Sequence, residues 1–306
     1  MKKDSSMQAE LKRVTHTNKK RNKIQVLDIV LLLILIAFAI TIVFPFINVV
    51  GISFATQNEY LKSTVLLIPK VFTLENYKAL FQDGRIWIGY RTTLLILGLG
   101  LPINMILTTS MAYGLSRPEF PFKRSLIYFV VLTMLFNGGI IPMYLLMKQL
   151  HLINTIWSVV LAYGVNSFYL IIMMNYFQTI PNSLMESAKL DGAGEWSILF
   201  RIILPLSMPI IATMTLFYAV DRWNEWFNAM IFIRRGDLIP LQLALRSIVI
   251  DSQMSEQMNV SNVQMEKFSE GMKMAAVIVA MLPIMCVFPF FQKYFAKGML
   301  VGAIKE

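Results

Sequence analysis

The chain has 306 residues, 56% of them hydrophobic and 15% charged, with a formal net charge of +10. A soluble globular domain carries about a quarter charged residues, so this composition excludes an ordinary water-soluble fold and predicts a membrane protein. The basic excess crowds the ends of apolar spans and forms no aromatic-interleaved surface, so nucleic acid is not expected as a partner.

Eight Lys and Arg fall in the first 26 residues, which read as a basic, disordered cytoplasmic tail. The apolar run Ile29–Val50 that follows is too long for a signal-peptide core. It ends in bulky Phe44-Pro45-Phe46 rather than a small-residue cleavage site, so it reads as a retained first span. Further uncharged runs suited to a hydrocarbon core of about 30 Å occur at Thr92–Leu115, Ser125–Met147, Leu152–Gln178, Ile202–Val220 and Met274–Gln292. The fifth is expected to continue as helix past Asp221, Arg222 and Glu225 to Ile233, giving a span at 206–233. The expected fold class is an all-α polytopic membrane protein: six transmembrane helices in a single domain over 27–306, with both termini cytoplasmic.

The short basic loop Arg117–Arg124 belongs inside on its charge. Gly51–Arg91, Lys148–His151 and Arg234–Lys273 then fall outside. Gly98, Gly100 and Pro102 interrupt the second span, and Asn137-Gly138-Gly139 with Pro142 interrupts the third. Close helix packing and local unwinding for gating both fit these positions. The one cysteine, Cys286, lies in an apolar run and excludes an intramolecular disulfide.

Between the fourth and fifth spans the pattern changes. Pro181 precedes Ser183, and Glu186 stands three residues further on. That capping-box spacing predicts a short helix opening at Ser183, with Glu186 reaching back to the Ser183 amide. Gly192 is placed to end the helix in the left-handed conformation. Trp196, Leu199, Phe200 and Ile203 have the i, i+3, i+4, i+7 spacing of one helix face, and Pro205 and Pro209 set a bend into the next span. Such an amphipathic element suits a groove on a soluble partner. An ordinary cytoplasmic loop is the alternative.

Polar groups inside a span are costly, so their placement is informative. Asp221, Asn224, Glu225 and Asn228 are expected on one side of the fifth helix, with Trp223 and Trp226 close by. Flat aromatic faces beside amides and carboxylates fit a sugar path. An interfacial aromatic belt with an Asp221–Arg222 pair holding helices together fits as well. Tyr163, Asn166 and Tyr169 form a fainter polar stripe in the fourth span, for which helix packing and interhelical hydrogen bonds are the default reading and a sugar path the other. There is no phosphate-binding loop, HExxH or GxSxG, and the only histidines, His16 and His151, have no second histidine nearby. No catalytic residue, metal site or bound cofactor is expected in this chain.

The run Glu186-Ser187-Ala188, then Gly192, Ile202 and Leu204-Pro205, resembles the EAA loop of ATP-binding-cassette importer permeases, with Ser187 where alanine is usual. Residues 136–155, 217–233, 240–248 and 297–306 resemble the carbohydrate-uptake branch, especially permeases for lipo-oligosaccharide-like and pectin-derived saccharides. The resemblance runs from residue 27 to the end of the chain. It implies a type I importer permease fold with a cytoplasmic coupling helix, in a bacterial cytoplasmic membrane. It also implies a second homologous permease, a dimeric ATPase that holds ATP and magnesium, an extracellular solute-binding protein, and a sugar as cargo. Ser183, Leu184, Glu186, Ser187, Ala188, Asp191, Gly192 and Trp196 would then carry ATPase coupling. The tail Lys297–Glu306 either reaches the ATPase or is a frayed end. A non-sugar cargo keeps the same architecture. A secondary transporter would call for an inverted repeat, which the sequence lacks.

Overall fold

The structure, a computed structural model, describes residues 26–63, 65–257 and 269–303. Residues 1–25 of the basic tail and 304–306 of the C-terminal tail lie outside the described residues. The chain divides into two compact units, residues 1–48 and 49–306.

Helix α1 (Val26–Ser53) begins in the first unit. Its side chains from Leu27 to Ile47 are exposed and almost wholly apolar, as in a helix whose solvent is lipid. The one hydroxyl there, Thr41, donates to the Ala37 carbonyl at 2.9 Å and so needs no water.

The second unit begins with two short helices, α2 (Gln57–Tyr60) and α3 (Glu75–Gln82). They lie in the segment read as an outer loop. Helix α4 (Gly84–Ser116) starts earlier than the apolar run because Asp83 caps it, accepting from the Arg85 amide at 2.9 Å. Pro102 leaves α4 unbroken.

Three spans are not single rods. α5 (Lys123–Leu135) and α6 (Ile140–Gln149) are bent by 113° at their break, and α7 (Ile156–Ala162) and α8 (Ser167–Gln178) by 51°. The helical stretch Glu195–Leu206 meets α12 (Met208–Trp223) at 86°. With α1, α4 and α15 (Ser269–Ala303), the six spans hold when each bent pair is taken as one. Each corner has a local cause. Gly139 adopts φ +90°, and its amide bonds the Asn137 side chain at 2.9 Å. Asn166 caps α8 by accepting from the Phe168 amide at 3.0 Å. Pro205 and Pro209 flank Ser207 and withhold two helical donors.

The fifth span does not run on to Ile233. α12 stops at Trp223, and α13 (Phe227–Phe232) restarts after a short unwound stretch. Asn224 and Glu225 compete with the helix for its own backbone. The Asn224 amide donates to the Val220 carbonyl at 3.0 Å, while the Glu225 carboxylate accepts from the Asn228 amide at 3.0 Å and starts α13. Residues 221, 224, 225 and 228 therefore do not share one helix face. The segment beyond, read as an outer loop, holds α14 (Leu241–Gln257).

The main core joins α4, α8, α12 and the loop before α12 through Tyr113, Met173, Phe177, Ile198, Ile203 and Met214. A second core packs Leu80, Ile86, Trp223, Leu241 and Ala275 between α3, α4, α12, α14 and α15.

Candidate functional site

The loop after the fourth span folds as α9 (Asn182–Leu190), α10 (Glu195–Ile198), a π-helical turn (Leu199–Ile203) and α11 (Leu204–Leu206). The capping box does not form. Pro181 flanks the helix with no side-chain cap, so Ser183 is already its second residue. Its amide is no longer placed for Glu186 to reach back to. Met185 is buried, at 5% exposure, and Ala188 packs against the same core. Ser183, Leu184, Glu186, Ser187, Leu190 and Asp191 are exposed.

The end of α9 matches its expectation. Gly192 lies at φ +81°. Its amide donates to the Lys189 carbonyl at 3.0 Å, and the Ala193 amide donates to the Ala188 carbonyl at 2.9 Å. These are the two bonds of a Schellman stop. A Cβ at position 192 would meet nothing within 4 Å, so the glycine is required by its backbone and not by crowding.

The second apolar face divides. Ile198, Leu199 and Ile203 are buried, while Trp196 and Phe200 are 68% and 60% exposed. The rings of Trp196 and Phe200 stack on each other at 6.2 Å. The π turn is the reason: one extra residue per turn breaks the i, i+4 register between the two pairs.

Four residues not anticipated from the sequence tie this loop to α4 and to the loop after it. Lys189 pairs with Glu195 at 2.9 Å and with Glu119, on the α4–α5 loop, at 3.5 Å. The Tyr113 hydroxyl, on α4, donates to the Glu195 carboxylate. The bond to Glu195 holds Lys189 above the usual lysine range. Arg117 lies 4.9 Å over the Tyr113 ring. Together with Phe120 and Trp196 these groups line a cleft of about 470 Å³. Nothing in the local pattern links Lys189 to Glu119, 70 residues earlier.

The polar cluster of the fourth and fifth spans is only partly assembled. The Tyr169 hydroxyl donates to Asp221 at 2.9 Å, and the Tyr169 ring sits edge-on to Tyr218 at 4.9 Å. The Tyr163 side chain is exposed, and Asn166 serves as a cap. Trp223 is withdrawn: it is buried, and its indole donates to the Ala280 carbonyl at 3.0 Å. Asn224 and Glu225 shape the turn, and Asn224 also accepts from Gln242 at 3.3 Å. The Trp226 ring is covered by the Arg246 guanidinium at 4.0 Å, so that face is closed to a sugar.

The expected Asp221–Arg222 pair does not form. Arg222 is 4% exposed. Its Nε donates to Asn104 Oδ1 at 3.0 Å, and its two Nη groups donate to the carbonyls of Val159 (2.9 Å), Val160 (2.9 Å) and Tyr163 (3.1 Å). Asn104 in turn donates to the carbonyls of Tyr163 (3.1 Å) and Gly164 (2.8 Å). An amide inside an uncharged span was the available signal for Asn104.

With this geometry in place, the relatives are informative. Residues 26–301 match the family model described as binding-protein-dependent transport system inner membrane component. The polygalacturonan/rhamnogalacturonan transport system permease protein YtcP of Bacillus subtilis (strain 168) is 40% identical over 284 residues, 92% of this chain and 99% of that protein. Protein LplC of the same organism is 38% identical, covering 95% of this chain and 98% of that protein. A crystal structure of a bacterial ABC transporter involved in the import of the acidic polysaccharide alginate superposes with a TM-score of 0.80 at 30% identity, covering 91% of this chain and 100% of that one. An amphipathic helix held outside a bundle of bent spans, and a family match over nearly the whole length, agree: this chain belongs to the inner-membrane components of binding-protein-dependent transport systems.

Proposed function

We propose that the chain is a permease subunit of an ATP-driven importer that carries an oligosaccharide across the bacterial cytoplasmic membrane, with both termini on the cytoplasmic side. The observation that supports it most directly is α9. Half of this helix is anchored through Met185, and the other half projects Leu184 and Leu190 outward, with Trp196 following. Buried anchor and exposed apolar rim are what a helix needs to dock in a groove on another protein. The groove belongs to a separate ATPase, which holds ATP and magnesium. Glu186 and Ser187 face that partner beside the leucines, and Gly192 and Asp191 fix the angle at which the helix is presented.

A second, homologous permease completes the path, and an extracellular solute-binding protein delivers the cargo. Tyr169 and Asp221 offer a hydroxyl and a carboxylate to sugar hydroxyls. An exposed carboxylate within an apolar span belongs on a watery path or a protein interface and not against lipid. ATP and the loaded binding protein must each favour the outward-open state, since equal affinity for two states shifts nothing.

The test is reconstitution. The chain should co-purify with its ATPase, and liposomes holding the complex should take up radiolabelled oligogalacturonide only with ATP and the binding protein present. A cysteine at position 184 should react with an impermeant thiol reagent from the cytoplasmic face alone. Labelling from the outer face, or an ATPase that never co-purifies, would overturn the reading.

A further inference from the structure

We propose that Arg222 is a positioning residue that clamps the interruption of the fourth span, with backbone carbonyls as its direct acceptors besides Asn104 among the described residues. The α7–α8 corner leaves the last carbonyls of α7 short of helical partners, where they meet the buried Arg222. Four of the five guanidinium donors converge there: one on Asn104 and three on Val159, Val160 and Tyr163. Asn104 closes the remaining gap by reaching Tyr163 and Gly164. A cation at the C-terminal end of a helix is also favoured by the helix dipole. No carboxylate within hydrogen-bond reach is needed to hold this charge.

The clamp joins α4, α7 and α12 at one point, and α4 is shaped for it. A Cβ at Gly100 would stand 3.0 Å from Arg222 Nε and 3.4 Å from its Cδ, whereas a Cβ at Gly98 would meet nothing within 4 Å. Gly100 is therefore the seat of the guanidinium. A consequence follows for the pair one residue away. With Arg222 directed into the corner, the Asp221 carboxylate turns to the Tyr169 hydroxyl, its one hydrogen-bond donor among the described residues. The segment from Tyr163 to Tyr169 and the Asp221 carboxylate are thereby held in fixed register. Its relevance to transport rests on the importer reading above.

Two near-identical substitutions in one helix test the clamp. Hydrogen exchange of peptides covering residues 156–170 is followed in the intact complex in nanodiscs. Gly100→Ala and Asn104→Ala should speed exchange there several-fold, and Gly98→Ala should not. Uptake of oligogalacturonide per ATP hydrolysed should fall in step with exchange at wild-type abundance, and adding Asn104→Ala to Arg222→Lys should cost little beyond Arg222→Lys alone. Equal exchange in Gly98→Ala and Gly100→Ala overturns the clamp, and so does additive loss in the double variant. Faster exchange with unchanged uptake per ATP overturns its role in transport. A wild-type complex that imports no oligogalacturonide counts against the cargo reading, while the exchange result still decides the clamp.

Discussion

Replacing Gly192 separates backbone conformation from every other property of the coupling element. The residue sits at φ +81° with open space where a side chain would go, so a substitution meets no clash and the whole cost is conformational. Moving an L-residue other than Asn or Asp into this region costs about 1–2 kcal/mol. The Schellman stop that defends the turn consists of two backbone bonds, each contributing about 1 kcal/mol net. The penalty for alanine is thus comparable to the restoring force. A difference of about 1.4 kcal/mol is a tenfold change in the correctly turned population. Asn, which tolerates the left-handed region, should retain most function, Ala should lose a substantial part, and β-branched Val should lose nearly all of it. Uptake in reconstituted liposomes and the amount of ATPase retained on the permease should both follow Gly, Asn, Ala, Val, at constant permease abundance in the membrane. Full uptake by Gly192→Val at normal abundance would refute the argument that this turn aims α9.

Other perturbations follow from the same contacts. Lys189→Glu should uncouple ATP hydrolysis from uptake, and adding Glu195→Lys should restore coupling, because the pair at 2.9 Å is re-formed with its charges exchanged; liposome assays of both activities decide it. Tyr169→Phe removes one bond to Asp221 and should slow uptake at unchanged thermal stability, whereas Trp223→Phe, which gives up the bond to Ala280, should lower stability by about 1 kcal/mol and leave cargo preference unchanged. Phe177→Ala, at a fully buried site of the main core, should cost about 3–5 kcal/mol and show as a lower melting temperature in detergent.

The spans were legible because a hydrocarbon core demands long apolar runs, a requirement written locally in the sequence. Two of the three corners were marked locally, by Asn137-Gly138-Gly139 and by Pro205 with Pro209; the partners of the α7–α8 corner were not, because they are supplied from far away. The break between α7 and α8 persists with a side chain 59 residues later and an amide 60 residues earlier as partners. The capping-box spacing at Ser183 and Glu186 was real, yet Pro181 already sets an extended backbone at the helix entrance, with φ −57° and ψ 129°, and the helix starts one residue too soon. The Asp221–Arg222 pair was misleading for a geometric reason: adjacent residues on a helix point about 100° apart and cannot face each other. Gly192 was readable because a left-handed stop needs one residue type at one offset.

The right-angled join at Ser207 has a mechanical consequence. A straight strut delivers a push along its own length from one end to the other. Across a corner of 86° almost none of an axial push survives as such. A thrust arriving along Glu195–Leu206 would act across α12, the helix that carries Asp221, and not along it. The same stroke that moves a lever at the rim would widen or narrow the middle of the membrane without lifting anything through it.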